Sequence, residues 1–409
     1  MDKEQRLSIL DDLIKLETVN GKEKLVADYL KKLFDENGIE SELNKVDDDR
    51  YNLIATINPE SDGPVLGFTG HEDVVDPVEA DKWNYGPFNP KHIDGKVIGR
   101  GAADMKSGLA AIAIALIELN EDKDFTNKIK FMATVGEELG EIGAKQLSEQ
   151  GYANDLNALI VGEPSNGSSQ MAIDKLVGSG MLSIPQPNPD KFGRHSFFSA
   201  HKGSVDYRVI SHGKAAHSSM PEAGINAIDN LIKFYTAQNE YFKTITNYSD
   251  DALGSTKPAV TIFKAGEQPN TIPDYAYLGV KVRTIPEFDN NEILDQIKTL
   301  IEQMNSDDPK MNLELAVDSS NMPVKTDLNS KLVTISRDVY EDVWGQKNVV
   351  VGAPGGTDAS QFVGANSDID VIVAGPGNES AHQINEFVFE DDYLQYITIY
   401  ENIAKKYFE

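Results

Sequence analysis

Four short apolar runs in this chain each end in an acidic or histidine side chain beside glycine, and that repetition constrains the fold more than any bulk property. The run at 65–69 leads into Gly70-His71-Glu72-Asp73, and 128–135 ends in Gly136-Glu137-Glu138. The run at 158–161 ends in Gly162-Glu163-Pro164, and 368–374 ends in Gly375-Pro376-Gly377 with His382 shortly after. Short apolar runs bounded by turn residues read as strands, and open α/β sheets hold their ligands beyond the carboxyl ends of such strands. His71, Glu137, Glu138, Glu163 and His382 are therefore expected to converge. A sixth residue comes from Gly99-Arg-Gly-Ala-Ala-Asp104-Met-Lys-Ser-Gly108, a glycine turn followed by the apolar stretch 109–119. There Asp104 is expected against unpaired N–H groups at a helix start. Taken singly, these are a cap, core histidines and solvated glutamates; six together make a site.

The remainder organises around that rim. Helices are expected at roughly 4–16 and 22–37, strands near 42–46 and 52–57, and a closing helix at 390–407. Between them lie strand 205–211, helix 223–241, strands 259–265 and 275–284, helix 291–304 and strand 312–317. The order β-α-β-β-α-β is the ferredoxin-like split unit. With 409 residues the chain is long for one core. The reading is an α/β catalytic domain at 1–203 and 319–409, interrupted by an α+β lid or dimerisation domain at 204–318.

A formal charge of −28 argues against nucleic acid or an anionic membrane as partner. No apolar run reaches the ~18 residues of a membrane span, and Met1 to Arg6 leads into helical spacing rather than a signal peptide. The expected compartment is cytoplasmic. The absence of cysteine excludes disulfides and thiolate ligands, so any metal must be held by histidine and carboxylate.

His71-Glu72-Asp73, the run from Trp83 to Gly108, Glu137-Glu138, Gly162-Glu163-Pro164 and the late His382 resemble the dinuclear zinc amidohydrolases and metallopeptidases. That family includes succinyl-diaminopimelate desuccinylase, acetylornithine deacetylase, aminoacylases, glutamate carboxypeptidases and dipeptidases. The resemblance runs in family order over nearly the whole chain, and is strongest to the desuccinylase and acetylornithine deacetylase branch. It implies a mixed-sheet zinc-exopeptidase-like catalytic domain and two Zn2+ ions, with Co2+ or Mn2+ as substitutes. It makes His71, Asp104 and Glu163 ligands of one ion, Glu138 and His382 ligands of the other, and Asp104 the bridge. Asp73 would hold the His71 imidazole, Glu137 would be the general base, and the Asp104–Met105 peptide would be cis. The donor count agrees: three carboxylates leave one of the four charges on two divalent ions uncompensated, which favours an ionised water.

By the same resemblance His217, in Gly213-Lys-Ala-Ala-His217-Ser-Ser-Met-Pro221, would reach the site of a partner subunit and stabilise an oxyanion. Arg283 would pair with a substrate carboxylate, and Asn270, Gly356 and Thr357 belong to loops that contact substrate. His92, His195, His201 and His212 match no role and are taken as structural. The sequence departs from the pattern at Asp76, which intervenes before Pro77. It departs again between Ser165 and Ser199, a longer segment with Pro185, Pro187, Pro189 and Phe197-Phe198 that either covers the cleft or runs over the surface. The implied enzyme is a homodimeric hydrolase of N-acyl amino acids. A metallo-dipeptidase or carboxypeptidase is the alternative, and an inactive dimeric scaffold the alternative of another class.

Overall fold

The computed structural model describes residues 1–165, 174–175, 177–179, 183–185 and 195–409. Pro187, Pro189 and much of the long segment around them lie outside the described residues.

A nine-stranded mixed sheet runs in the order Ser41–Asp47, Arg50–Ile57, Ile129–Thr134, Val65–His71, Leu156–Pro164, Asp370–Gly375, Ser196–His201 and Val324–Lys325, with Val349–Ala353 also paired to Ser196–His201. Strands Ile129–Thr134, Val65–His71, Leu156–Pro164 and Asp370–Gly375 are mutually parallel. Their carboxyl ends therefore lie along one rim. The helix Lys106–Glu121 is apolar on nearly every side and accordingly buried almost throughout. It packs on two of the parallel strands, on Lys3–Lys15 and on the closing helix Glu390–Tyr407. Lys3–Lys15 starts on a reciprocal cap, in which Asp2 accepts from the Gln5 N–H and the Gln5 side chain accepts from the Asp2 N–H. At its other end the buried Lys106 Nζ donates to the carbonyls of Leu13 (2.9 Å) and Leu16 (2.5 Å), adding to the backbone N–H groups of Leu16 and Thr18 that those carbonyls also accept.

A separate four-stranded antiparallel sheet has the order Lys257–Ala265, Tyr275–Thr284, Gly203–His212 and Leu313–Asn321. Helices Ala227–Ile245 and Asn290–Asp307 cover one face through Val205, Tyr207, Val209, Val280 and Val282. Because side chains alternate along a strand, Ser204, Asp206, Lys281 and Arg283 project from the opposite face. The fold is thus α/β with a mixed sheet and a second α+β unit of ferredoxin-like strand order.

Three strands at one side of the large sheet were not expected: Ser196–His201, Val324–Lys325 and Val349–Ala353. They alter the reading of Phe197-Phe198, which does not stand in a surface excursion. Phe197 is buried in the main core against Tyr340, and Phe198 lines the cleft described below. Among the described residues no helix is long and apolar enough to cross a membrane.

His92 is clamped between Glu390 (2.8 Å) and Asp11 (3.0 Å), joining both ends of the chain. Burial opposes its charge, but the Glu390 and Asp11 carboxylates outweigh it and raise its pKa above 6.5. A raised folded pKa means the clamp contributes fully below about pH 6.5 and is lost as pH rises through the folded value. Thermal midpoints should therefore fall from pH 6 to pH 8 more steeply in the parent protein than in His92→Gln. Parallel pH profiles would dismiss the clamp.

Candidate metal centre and cleft

The rim assembles the expected residues. His71 ends its strand opposite Thr134 and is almost wholly buried. Its Nε2 lies 3.1 Å from Asp104 Oδ1 and 3.2 Å from Glu163 Oε1. His382, held at φ 64°, places Nε2 2.9 Å from Glu138 Oε1 and 3.2 Å from Asp104 Oδ2. Each oxygen of Asp104 thus faces a different histidine, one flanked by Glu163 and the other by Glu138. Donor atoms of His71, Asp104 and Glu138 lie within 4.8 Å of one another, as do those of His71, Glu137 and Glu163.

Two local expectations change. Asp104 does not cap the following helix; Met105 holds the cap position and no side chain bonds there. Burial works against its charge, but hydrogen bonds from His382 and His71 hold its carboxyl far below the usual range. The two histidines keep it ionised. The second change concerns Asp73. The nearest partner of His71 Nδ1 is the Asp73 backbone carbonyl at 3.0 Å, with carboxylate Oδ1 at 3.6 Å. That carboxylate is drawn instead to the backbone N–H groups of Glu137 (3.2 Å) and Glu138 (3.3 Å), which turn away after the left-handed Gly136. Asp73 therefore meets His71 most closely through its main chain, with its carboxylate 3.6 Å away, and holds the two glutamates through that carboxylate.

The Asp104–Met105 peptide is cis, as the resemblance implied. The loop bearing it is organised by a residue the sequence reading passed over. Glu386, fully buried, accepts from the N–H groups of Ala103 and Asp104 (2.8 Å each) through Oε1. Through Oε2 it accepts from Arg100 Nη1 (2.5 Å) and Gly101 N (3.2 Å). Beneath the loop, the Gly162 carbonyl is packed between helix and strand so closely that a Cβ on either Gly108 or Gly375 would overlap it.

Carboxylates outnumber cations here. Burial, then the charges of Asp104 and Glu138, push Glu163 up to about 8, although His71 draws it down. Burial and the charge of Glu163 hold Glu137 well above the usual carboxylate range. His71 moves the other way: burial opposes its charge, yet Glu163, Asp104 and Asp73 raise it well above 6.5. Hydrogen bonds donated to Asp104 and Glu138 lift His382 to about 10. A cluster that demands positive charge at two imidazoles, with oxygen and nitrogen donors only, fits divalent cations of intermediate hardness.

The cluster opens into a cleft of about 640 Å3 lined also by Arg283, Gly356 and Thr357. Thr357 Oγ1 is 3.2 Å from His201 Nε2, so that histidine supports the cleft wall. His217 and Asn270 do not line this cleft. They sit together in the second unit, where Ala216–His217 pairs with Thr271–Ile272 and the Ser218 N–H donates to Asn270 O. His217 is exposed and bonded to Ser219.

The profile of peptidase family M20/M25/M40 matches residues 67–406. The chain belongs to that family. It is 37% identical to a protein of Staphylococcus aureus strain MSSA476 named probable succinyl-diaminopimelate desuccinylase, over 99% of this chain and 98% of the relative. Among solved structures it resembles the M20 metallo-carboxypeptidase Sso-CP2 of Sulfolobus solfataricus, with TM-score 0.73 and 20% identity over 100% and 99% of the two chains. It also resembles the Bacillus subtilis YXEP protein, described as a dinuclear metal binding peptidase of the family, with TM-score 0.67 and 17% identity over 98% and 97%. At those identities the solved structures speak to the fold, which they share along its length. Membership makes this M20 chain a hydrolase of the metallopeptidase type.

Proposed function

We propose that this M20 hydrolase cleaves the amide of an N-acyl amino acid, with N-succinyl-L,L-diaminopimelate as first substrate and N-acetylornithine as second. One observation carries the reading: Arg283 lines the same cleft as Asp104, Glu137, Glu138, Glu163 and His382 and forms no ion pair among the described residues. A guanidinium left free beside a hydrolytic centre suits a substrate with a carboxylate near its scissile bond. The name of the staphylococcal relative supports the same class.

In this reading His71, Asp104 and Glu163 hold one zinc ion, and Asp104, Glu138 and His382 the other, with cobalt or manganese as substitutes. Bound divalent ions supply Lewis acidity, polarising a carbonyl and making water a stronger acid. Glu137 takes the proton from the attacking water and returns it to the nitrogen of the departing amine. Asp73 keeps Glu137 and Glu138 turned in different directions through their N–H groups. Arg283 grips the substrate carboxylate, and the loop of Gly356 and Thr357 lines the same cleft.

The remaining assignments need a second copy. Among the described residues the strand Lys257–Ala265 has a neighbour on one side only and exposes Ile262 and Phe263, a surface suited to pairing. A cytoplasmic homodimer joined there, through the 204–318 unit, would bring His217 of the partner subunit to the oxyanion and Asn270 of the partner subunit to the substrate. An inactive scaffold is disfavoured because no expected ligand, nor the base, has been lost.

The zinc-loaded protein, offered N-succinyl-L,L-diaminopimelate, N-acetylornithine and a dipeptide set, should turn over an acylated amino acid fastest. Turnover confined to dipeptides would assign the site to the peptidase alternative.

A further inference from the structure

The open face of the four-stranded sheet carries two polar rungs into the cleft. The inner rung is Arg283–Ser204–Asn321 in cross-strand register, and the outer is Lys281–Asp206–Ser319. The inner rung is tied to the turn that follows Glu137 and Glu138, since Asn321 Nδ2 donates to Glu141 Oε1 at 2.6 Å. Two residues along a strand, the outer rung stands about 7 Å farther from that anchor.

The outer rung is an ion pair with unused capacity. Lys281 Nζ donates to Asp206 Oδ2 at 2.8 Å, and Ser319 Oγ donates to the same oxygen at 2.9 Å. No hydrogen bond reaches Asp206 Oδ1 among the described residues, and Lys281 keeps two further N–H donors. Both side chains remain partly solvated. A lone anion arriving here is attracted by Lys281 and repelled by Asp206, and a lone cation meets the reverse. A group bearing both charges satisfies both.

Resting on the deacylase reading above, we infer that the Asp206–Lys281–Ser319 rung is a second binding site, for an α-ammonium carboxylate head at the far end of the substrate from the scissile amide. Asp206 accepts from the ammonium, and Lys281 and Ser319 donate to the carboxylate. The preferred substrate is then an N-acyl amino acid whose side chain ends in a second amino acid group.

Three probes separate the charges: N-succinyl-L,L-diaminopimelate, N-succinyl-2-aminopimelate without the distal ammonium, and N-succinyl-L-lysine without the distal carboxylate. The zinc-loaded full chain should favour the first over each of the others by about tenfold or more in kcat/KM. Asp206→Asn should bring the preference over the aminopimelate compound close to one. Lys281→Met should do so for the lysine compound, while Lys281→Arg retains part of it. Each preference is a ratio measured on a single preparation, so a loss of folded protein cancels. Equal turnover of all three probes by the parent protein overturns this site and leaves the deacylase reading standing. So does an equal fall on all three in both variants. Hydrolysis of dipeptides but of none of the three probes retires the deacylase reading, and this site with it.

Discussion

Glu137→Gln should lower kcat on the best acylated substrate by about 10²–10⁴-fold with KM little changed. The amide keeps the shape of the carboxylate and cannot take a proton. Glu137 also lies close to His71 and Glu163, so bound metal must be measured alongside the rate. Two ions retained with the rate collapsed identifies a base. Loss of an ion in step with the rate would make Glu137 a ligand, and an undiminished rate would remove it from the chemistry.

Glu386→Ala should produce the largest loss of stability of any change that touches neither substrate nor cation. Removing one partner of a buried ion pair costs about 3–5 kcal/mol, because the other charge stays buried without compensation. Arg100 is that charge, about 1% exposed, and three backbone N–H groups lose their acceptor as well. Urea midpoints should fall accordingly. Glu386→Gln, which still accepts but carries no charge, should lie between the two. Metal affinity should weaken in the same order, since the Asp104 loop is held by these bonds. An unchanged midpoint in the alanine variant would show that water or a neighbouring group replaces the carboxylate.

Apart from Asp104, which a glycine turn delivers, the residues of the candidate metal cluster were legible because each follows a short apolar strand, and parallel strands bring their ends to one rim whatever their separation in sequence. The closing helix is found at Glu390–Tyr407, where its periodicity placed it. The small sheet has the six elements expected in the expected order. Strand Val324–Lys325 was invisible because two residues show no period, and Ser196–His201 because its apolar pair adjoins an unusual segment. Glu386 was missed for a different reason. Its partners are the N–H groups of a loop more than 280 residues earlier, and nothing in its neighbourhood records that pairing. A signal did exist: Arg100 stands in the same glycine turn as Asp104, and a buried guanidinium requires a carboxylate from somewhere. The expectation that the helix start keeps Asp104 ionised took local geometry without the two histidines that bond its carboxylate.

The crowding around the Gly162 carbonyl sets a limit on how such a chain can be varied. Gly108 and Gly375 meet neither substrate nor cation, yet one added methyl group at either would force the helix or strand off the backbone beneath Glu163. A saturation library scored by growth or turnover would mark these glycines as intolerant as the chemical residues themselves, and only an assay of folded yield would tell the two classes apart.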